Sequence, residues 1–355
     1  MAAAKQTFKG TLADYAALSN DISHGKFSPL YLLMGDEPFF IDQLSEMLLT
    51  NVIPPEAQAF NQLVVYGKDS DGTALCNLCR QVPMMGNRQL IVIKEAQGLK
   101  KLDQLVNYTK HYVESTILVL CHKEKSLDKR SQLYKSIAEN GTVFESVKPR
   151  DYEVGSWLSS YITQCGLTID QRTLQLMTDY LGSDLSKIAG EIDKLHTAMP
   201  VGQRQITPEV VEQNIGISRD YNIFELTQAL SERNTLKAMQ ISDYFARNPK
   251  STPLIVSISR IHAHFEKVFK YNYALWLAKK RSQPMPTEQE LCKMLKLTSS
   301  YFLKEYGQAA ANYTMPKLFS IFELLREYDM KQKGINRGSL DDGELLRELL
   351  LKILN

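Results

Sequence analysis

The stretch Tyr31-Leu32-Leu33-Met34-Gly35-Asp36-Glu37-Pro38-Phe39-Phe40 decides the reading of this chain. It reads as a short buried strand running into a helix, the junction where a nucleotide-binding α/β domain places its phosphate loop. Such a loop needs free backbone N–H groups, glycines for close approach, and a Lys followed by Ser or Thr. Here two carboxylates and a proline fill the turn. Asp36 and Glu37 would repel a triphosphate, and Pro38 has no N–H to give. The shape of a nucleotide fold is present without its chemistry.

Around this junction, residues up to about 145 alternate short strands with helices. Strands are expected at Leu30–Met34, Gln62–Tyr66, Gln89–Glu95, Thr116–Cys121 and Thr142–Glu145, with helices such as Ile41–Leu49, Thr73–Arg80 and Lys129–Glu139 between them. Brief runs rich in Val, Ile and Leu, set between helices, imply a parallel sheet covered on both faces. The fold class of this region is α/β.

After Lys148-Pro149-Arg150 the pattern is helical throughout, to about Asn214. Leu185, Ile188, Ile192 and Leu195 form one apolar stripe, and Thr207-Pro208-Glu209 opens a helix with Thr as cap and Pro at the first position. The segment Ile215–Tyr221 reads as a linker. Beyond it, Ser251-Thr252-Pro253 starts a long helix with Leu254, Ile258, Ile261, Phe265 and Val268 on one face. Leu318, Ile321, Phe322, Leu325 and Tyr328 repeat that spacing, and a last helix carries Leu345, Leu346, Leu349, Leu350 and Ile353. Helices that each bury a stripe need partners, so an all-α bundle is expected. The divisions fall at 1–148, 149–214 and 215–355.

Composition sets outer bounds. Of 355 residues, 42 are basic and 40 acidic, a net charge of +2, so no global attraction to nucleic acid or membrane is indicated. Five scattered cysteines fit a reducing compartment. The opening Met1-Ala-Ala-Ala-Lys5-Gln-Thr-Phe8 lacks the apolar run of a signal peptide, and no apolar segment approaches the roughly 20 residues that span a bilayer. A cytoplasmic protein is expected.

A search for catalytic chemistry finds none. Gly25-Lys26-Phe27 and Gly67-Lys68-Asp69 lack the Ser or Thr and the upstream Gly of a phosphate loop. Glu95, after the strand Leu90–Ile93, reads as a solvated residue without a phosphate-binding Lys to serve. Cys76 and Cys79 form a CxxC with half the ligands of a zinc site, and read better as small residues beside a core. His262 and His264, two apart on a helix, point to different faces. No nucleophile elbow is present. Neither a metal nor a cofactor is expected.

One connection stands out. Gln81-Val82-Pro83-Met84-Met85-Gly86-Asn87-Arg88-Gln89 joins a helix to an inner strand with three apolar residues where a polar loop is normal. Val82, Met84 and Met85 either tuck under the sheet or protrude as an adaptable apolar knob for a partner's pocket.

Taken together, these motifs resemble the delta subunit family of the bacterial DNA polymerase III clamp loader. The resemblance runs through Tyr31–Ile41, Val82–Leu90, Leu181-Gly182-Ser183-Asp184-Leu185 with Glu191 and Lys194-Leu195, Asn222-Ile223-Phe224-Glu225-Leu226, and Glu327-Tyr328-Asp329-Met330-Lys331, in order along nearly the whole chain. It implies an AAA+-like domain without ATPase residues, a small helical lid, and a helical collar that joins a pentameric loader. The implied partners are the beta sliding clamp, the gamma/tau and delta-prime loader subunits, and primed DNA. Aligned on Arg88-Gln89, the clamp-binding positions are Val82, Met84 and Met85, with Met84-Met85 where the family commonly has Leu-Phe. The basic loop Lys331, Lys333 and Arg337 either touches DNA phosphates or is a solvated loop. The implied role is a non-catalytic wrench that opens the clamp. The rival readings are an active AAA+ ATPase and a purely architectural subunit.

Overall fold

A computed structural model describes residues 6–200, 202–215, 221–249, 252–282, 284–297 and 300–355. The first residues of the chain, most of the expected linker and Ser251 lie outside them. The chain divides into two compact units, one of residues 1–150 with 183–186, the other of 151–182 with 187–355.

The first unit runs α1 (Phe8–Ser23), β1 (Leu30–Gly35), α2 (Pro38–Asn51), α3 (Pro55–Asn61), β2 (Gln62–Tyr66), α4 (Gly72–Cys79), β3 (Gln89–Lys94), α5 (Val106–Thr109), β4 (Thr116–Lys123), α6 (Gln132–Asn140) and β5 (Thr142–Ser146). All strand pairs are parallel, in the order β2-β3-β4-β1-β5. Leu32 pairs with Leu120 and Val92 with Val119, so the most apolar strands are innermost. On one face Leu32, Met34, Ile91, Ile93, Leu118 and Leu120 meet Leu75, Cys79, Tyr108 and Ile137 of the covering helices. The alternate residues Tyr31, Leu33, Val92, Val119 and Cys121 are buried on the other face, where α2 packs on β1, β4 and β5. Burial on both faces holds for β1, β3 and β4. It fails at the edge strand β2, whose Leu63, Val64 and Tyr66 are exposed, because α2 reaches only the other end of the sheet.

Local chemistry moves several boundaries. Helix α2 starts at Pro38 rather than Ile41, because Glu37 caps it by accepting from the Phe39 amide at 3.1 Å and Pro38 suits the first turn. Helix α6 starts after Ser131, which accepts from the Tyr134 amide at 3.2 Å, rather than at Lys129.

The second unit comprises α7 (Asp151–Gln164), β6 (Thr168–Ile169), α8 (Gln171–Leu181), α9 (Leu185–Ala198), β7 (Gln205–Ile206), α10 (Pro208–Ile215), α11 (Ile223–Ser231), α12 (Thr235–Arg247), α13 (Leu254–Lys280), α14 (Glu288–Leu295), α15 (Leu303–Asn312), α16 (Met315–Gln332) and α17 (Asp342–Leu354). The expectation that strands cease after Arg150 is corrected by β6 and β7, which pair in parallel through Thr168–Gln205 and Ile169–Ile206. Two-residue strands bury too little to leave a sequence signature. The expected stripes are otherwise the core: Leu185, Ile188, Ile192 and Leu195 are fully buried, as are Ile261, Phe265, Val268, Leu318, Ile321, Tyr328, Leu345 and Leu349. No helix among the described residues is long and apolar enough to cross a membrane.

Candidate functional site

The turn after β1 shows how a phosphate site is closed. Gly35 has φ of +134°, and a Cβ there would lie 1.9 Å from the Ser146 carbonyl oxygen, so the backbones of β1 and β5 meet where only glycine fits. The Asp36 amide donates to that same carbonyl at 3.1 Å, and the Asp36 carboxylate accepts from the Lys148 amide at 3.2 Å. Glu37 is 3% exposed and occupies the Phe39 amide. Burial pushes its carboxyl up to about 7, against the pull of the Phe39 amide and Lys148. Two of the amides at this junction are spent internally, Pro38 has none, and the one buried polar side chain is the acid Glu37.

At the ends of the neighbouring strands the charges neutralise one another. Lys123 holds Asp42 at 2.8 Å and Glu95 at 3.0 Å, and Lys94 holds Glu46 at 2.7 Å. Glu95 is therefore ion-paired as well as partly solvated, with left-handed backbone, φ +53°.

The other candidate chemistries are structural. Cys76 and Cys79 face the core from α4, and burial raises the Cys79 thiol to about 12. His262 packs tilted against Phe322, whereas His264 is buried against Ser231, so the two do part company. Ser231 Oγ lies 2.9 Å from His264 Nε2 and 3.3 Å from Glu305 Oε1. These are the residue types of a nucleophilic triad, but Ser231 is fully buried and donates to the Thr227 carbonyl. Burial lowers His264 to about 3, so its imidazole sits neutral, and raises Glu305 to about 7, so its ionisation is resisted. No group of three potential metal ligands occurs among the described residues.

The connection between α4 and β3 is the reverse of the closed turn. Val82 is 83% exposed, Met84 78% and Met85 45%, so of the two readings the structure takes the protruding one. Their backbone is fastened all the same. Asn61, at the end of α3 and 4% exposed, accepts from the amides of Met84 and Met85 at 3.0 and 3.1 Å and donates to the Met85 carbonyl. Gln89 donates to the Gln81 carbonyl at 2.7 Å and to Thr116 Oγ1 at 2.8 Å. Arg88 lies over the Phe27 ring at 5.7 Å. Sequence reasoning missed Asn61, because its partners are backbone groups more than 20 residues further along and leave no pattern.

Of the three residues expected in a basic loop, Lys331 instead lies in the last turn of α16, and all three are already occupied. Lys331 pairs with Glu327 at 2.7 Å, Lys333 with Asp329 at 2.6 Å and Arg337 with Asp342 at 2.7 Å. A phosphate would have to displace a carboxylate at each.

The remaining motifs have physical roles in the second unit. Asn222 caps α11 by accepting from the Glu225 amide at 3.0 Å. Glu225, buried, pairs with both Arg172 and Lys237, and the Arg172 guanidinium lies 5.5 Å from the Phe224 ring centre. Lys331 lies over the buried ring of Tyr328 at 4.4 Å.

Comparison with known proteins agrees with these features. The family model described as DNA polymerase III, delta subunit, matches residues 31–147. The DNA polymerase III subunit delta of Bacillus subtilis is 25% identical over 252 residues, covering 67% of this chain and 72% of that protein. The solved Bacillus subtilis DNA clamp loader delta protein has the same fold, with TM-score 0.51 at 22% identity, covering 96% of this chain and 99% of that one. Residues 31–147 are therefore similar to the DNA polymerase III delta subunit family, and the likeness to a protein of that name extends over two thirds of the chain.

Proposed function

We propose that this chain is the clamp-opening subunit of a clamp loader, acting without catalysis of its own. Val82, Met84 and Met85 enter an apolar pocket on the beta sliding clamp, and residues 215–355 form a collar shared with gamma/tau and delta-prime subunits. Residues 149–214 serve as a small helical lid domain, following the nucleotide-fold domain of residues 1–148. The observation that carries the reading is the exposure of three apolar side chains on a loop whose backbone is pinned.

The energetics suit a wrench. A ligand opens a closed ring only by binding the open form more tightly, and inverting a 1:99 population takes about 5.5 kcal/mol of differential affinity. Burying one Val and two Met side chains, each worth roughly 1.5–3 kcal/mol when fully covered, supplies a term of that order before ordering costs. The closed turn at Gly35–Pro38 supports the non-catalytic half of the reading, since ATP would find there buried acid and spent amides.

The test is binding of the full chain to the beta clamp of the same organism. Replacing Met84→Asp and Met85→Asp together should weaken binding by a factor of about a hundred or more, with assembly of the loader intact. Undiminished clamp binding would refute the assignment. Tight ATP binding and turnover by the isolated chain would instead favour an active motor.

A further inference from the structure

The exposed loop gains almost nothing from its own apolar side chains, so something else must hold it. That something is two buried or half-buried amide side chains. Asn61 uses its oxygen for the Met84 and Met85 amides and its NH2 for the Met85 carbonyl. Gln89 closes the other end through the Gln81 carbonyl. Between these ties Gly86 turns the chain with φ +71° in open space, so no packing would resist a change of path there.

We propose that Asn61 and Gln89 are positioning residues of the clamp-binding loop, which set the displayed geometry of Met84 and Met85 before the partner arrives. The inference rests on the reading of Val82, Met84 and Met85 as clamp-binding. A loop ordered during folding leaves less freedom to be lost on binding, which raises affinity without adding a contact. Asn suits the task because it presents acceptor and donor together on one planar group. Asp would keep the two amide bonds and set a carboxylate against the Met85 carbonyl. Leu would keep the volume and lose all three bonds.

The experiment measures affinity and dissociation rate for the beta clamp with the full chain carrying Asn61→Leu, Asn61→Asp or Gln89→Met. Each is made in the wild-type background and again with Met84→Ala and Met85→Ala. Hydrogen exchange at the Met84 and Met85 amides is followed alongside. Asn61→Leu should weaken binding roughly tenfold, mostly through faster dissociation. Asn61→Asp and Gln89→Met should cost less, and exchange at the two Met amides should quicken while β3 stays protected. In the Met-to-Ala background Asn61→Leu should add little, because a residue that acts only by presenting side chains has nothing left to present.

Wild-type affinity in all three variants, with the Met-to-Ala pair still defective, overturns the positioning role and leaves the wedge standing. An equal loss in both backgrounds also overturns it, since Asn61 would then act by another route. Full binding by the Met-to-Ala pair itself sinks the wedge reading and this one with it. Should Asn61→Leu fail to fold, Asn61→Asp and Gln89→Met carry the same comparison.

Discussion

The turn at Gly35–Pro38 and the loop at Gln81–Gln89 lie at opposite ends of the strands of one parallel sheet, after β1 and before β3. In the turn, polar groups are consumed: the Asp36 and Phe39 amides have partners within the fold and Glu37 is buried. In the loop, polar groups are also consumed, at Met84, Met85 and Gln81, but the apolar side chains are left outside. The first arrangement stabilises the fold and offers nothing to a ligand. The second orders the backbone in order to display side chains. A binding surface of this kind is recognised by apolar groups that hydrogen bonds, rather than packing, hold in place.

The contrast breaks most visibly at Gly35. Gly35→Ala sets a Cβ against the Ser146 carbonyl in a backbone region that L-residues avoid, which should destabilise the first unit by about 3 kcal/mol or more. Urea unfolding of the full chain would read this as an earlier transition of the first unit. The Met84→Asp and Met85→Asp pair should shift the same transition by about 0.5 kcal/mol or less. If Gly35→Ala proves neutral, the turn is not closed by that contact and the comparison fails on its firmer side.

How much of this was legible in the sequence depends on who the partners are. The five main strands were readable because each is a dense apolar run between helices, and the stripes of α9, α13, α16 and α17 because buried positions recur at helical spacing. Helix α1 passed unnoticed, having only Phe8, Thr11 and Ile22 buried in 16 residues. The exposed Val82, Met84 and Met85 could be named, since three apolar residues in a loop are visible as letters. Their orientation could not, because whether Met84 points out or under the sheet turns on Asn61, a residue with no local signature. The ion pair of Glu95 was illegible for the same reason: its partner Lys123 comes from another strand.

A smaller effect sharpens the turn's half of the comparison through pH. Glu37 has a folded pKa of about 7 against an ordinary 4.5, so its ionisation is resisted by the fold. Its contribution is fully present below pH 4.5 and is lost as pH rises through 7, a change of about 2 kcal/mol at 1.36 kcal/mol per pH unit of displacement, allowing for residual hydration. Glu37→Gln should remove that slope from the first unit, making the variant relatively more stable at pH 8 than at pH 5 when each is compared with wild type. Parallel pH profiles would mean that Glu37 is solvated in solution and the turn is more open than described.

The smallest expected effect tests the loop's half. Val82 is 83% exposed, so truncation by Val82→Ala opens no cavity and should move the unfolding midpoint by less than about 0.5 kcal/mol. On the clamp the same change removes apolar surface worth about 0.8 kcal/mol per methylene if fully buried there, a loss of roughly fivefold in affinity once partial burial is allowed. The two measurements must separate for the display reading to hold. A side chain that supports the fold would lose stability on truncation, with affinity following only as far as folding does. A displayed one loses affinity alone, and a Val82→Ala variant that melts early yet binds the clamp normally would show that the loop serves its own unit rather than a partner.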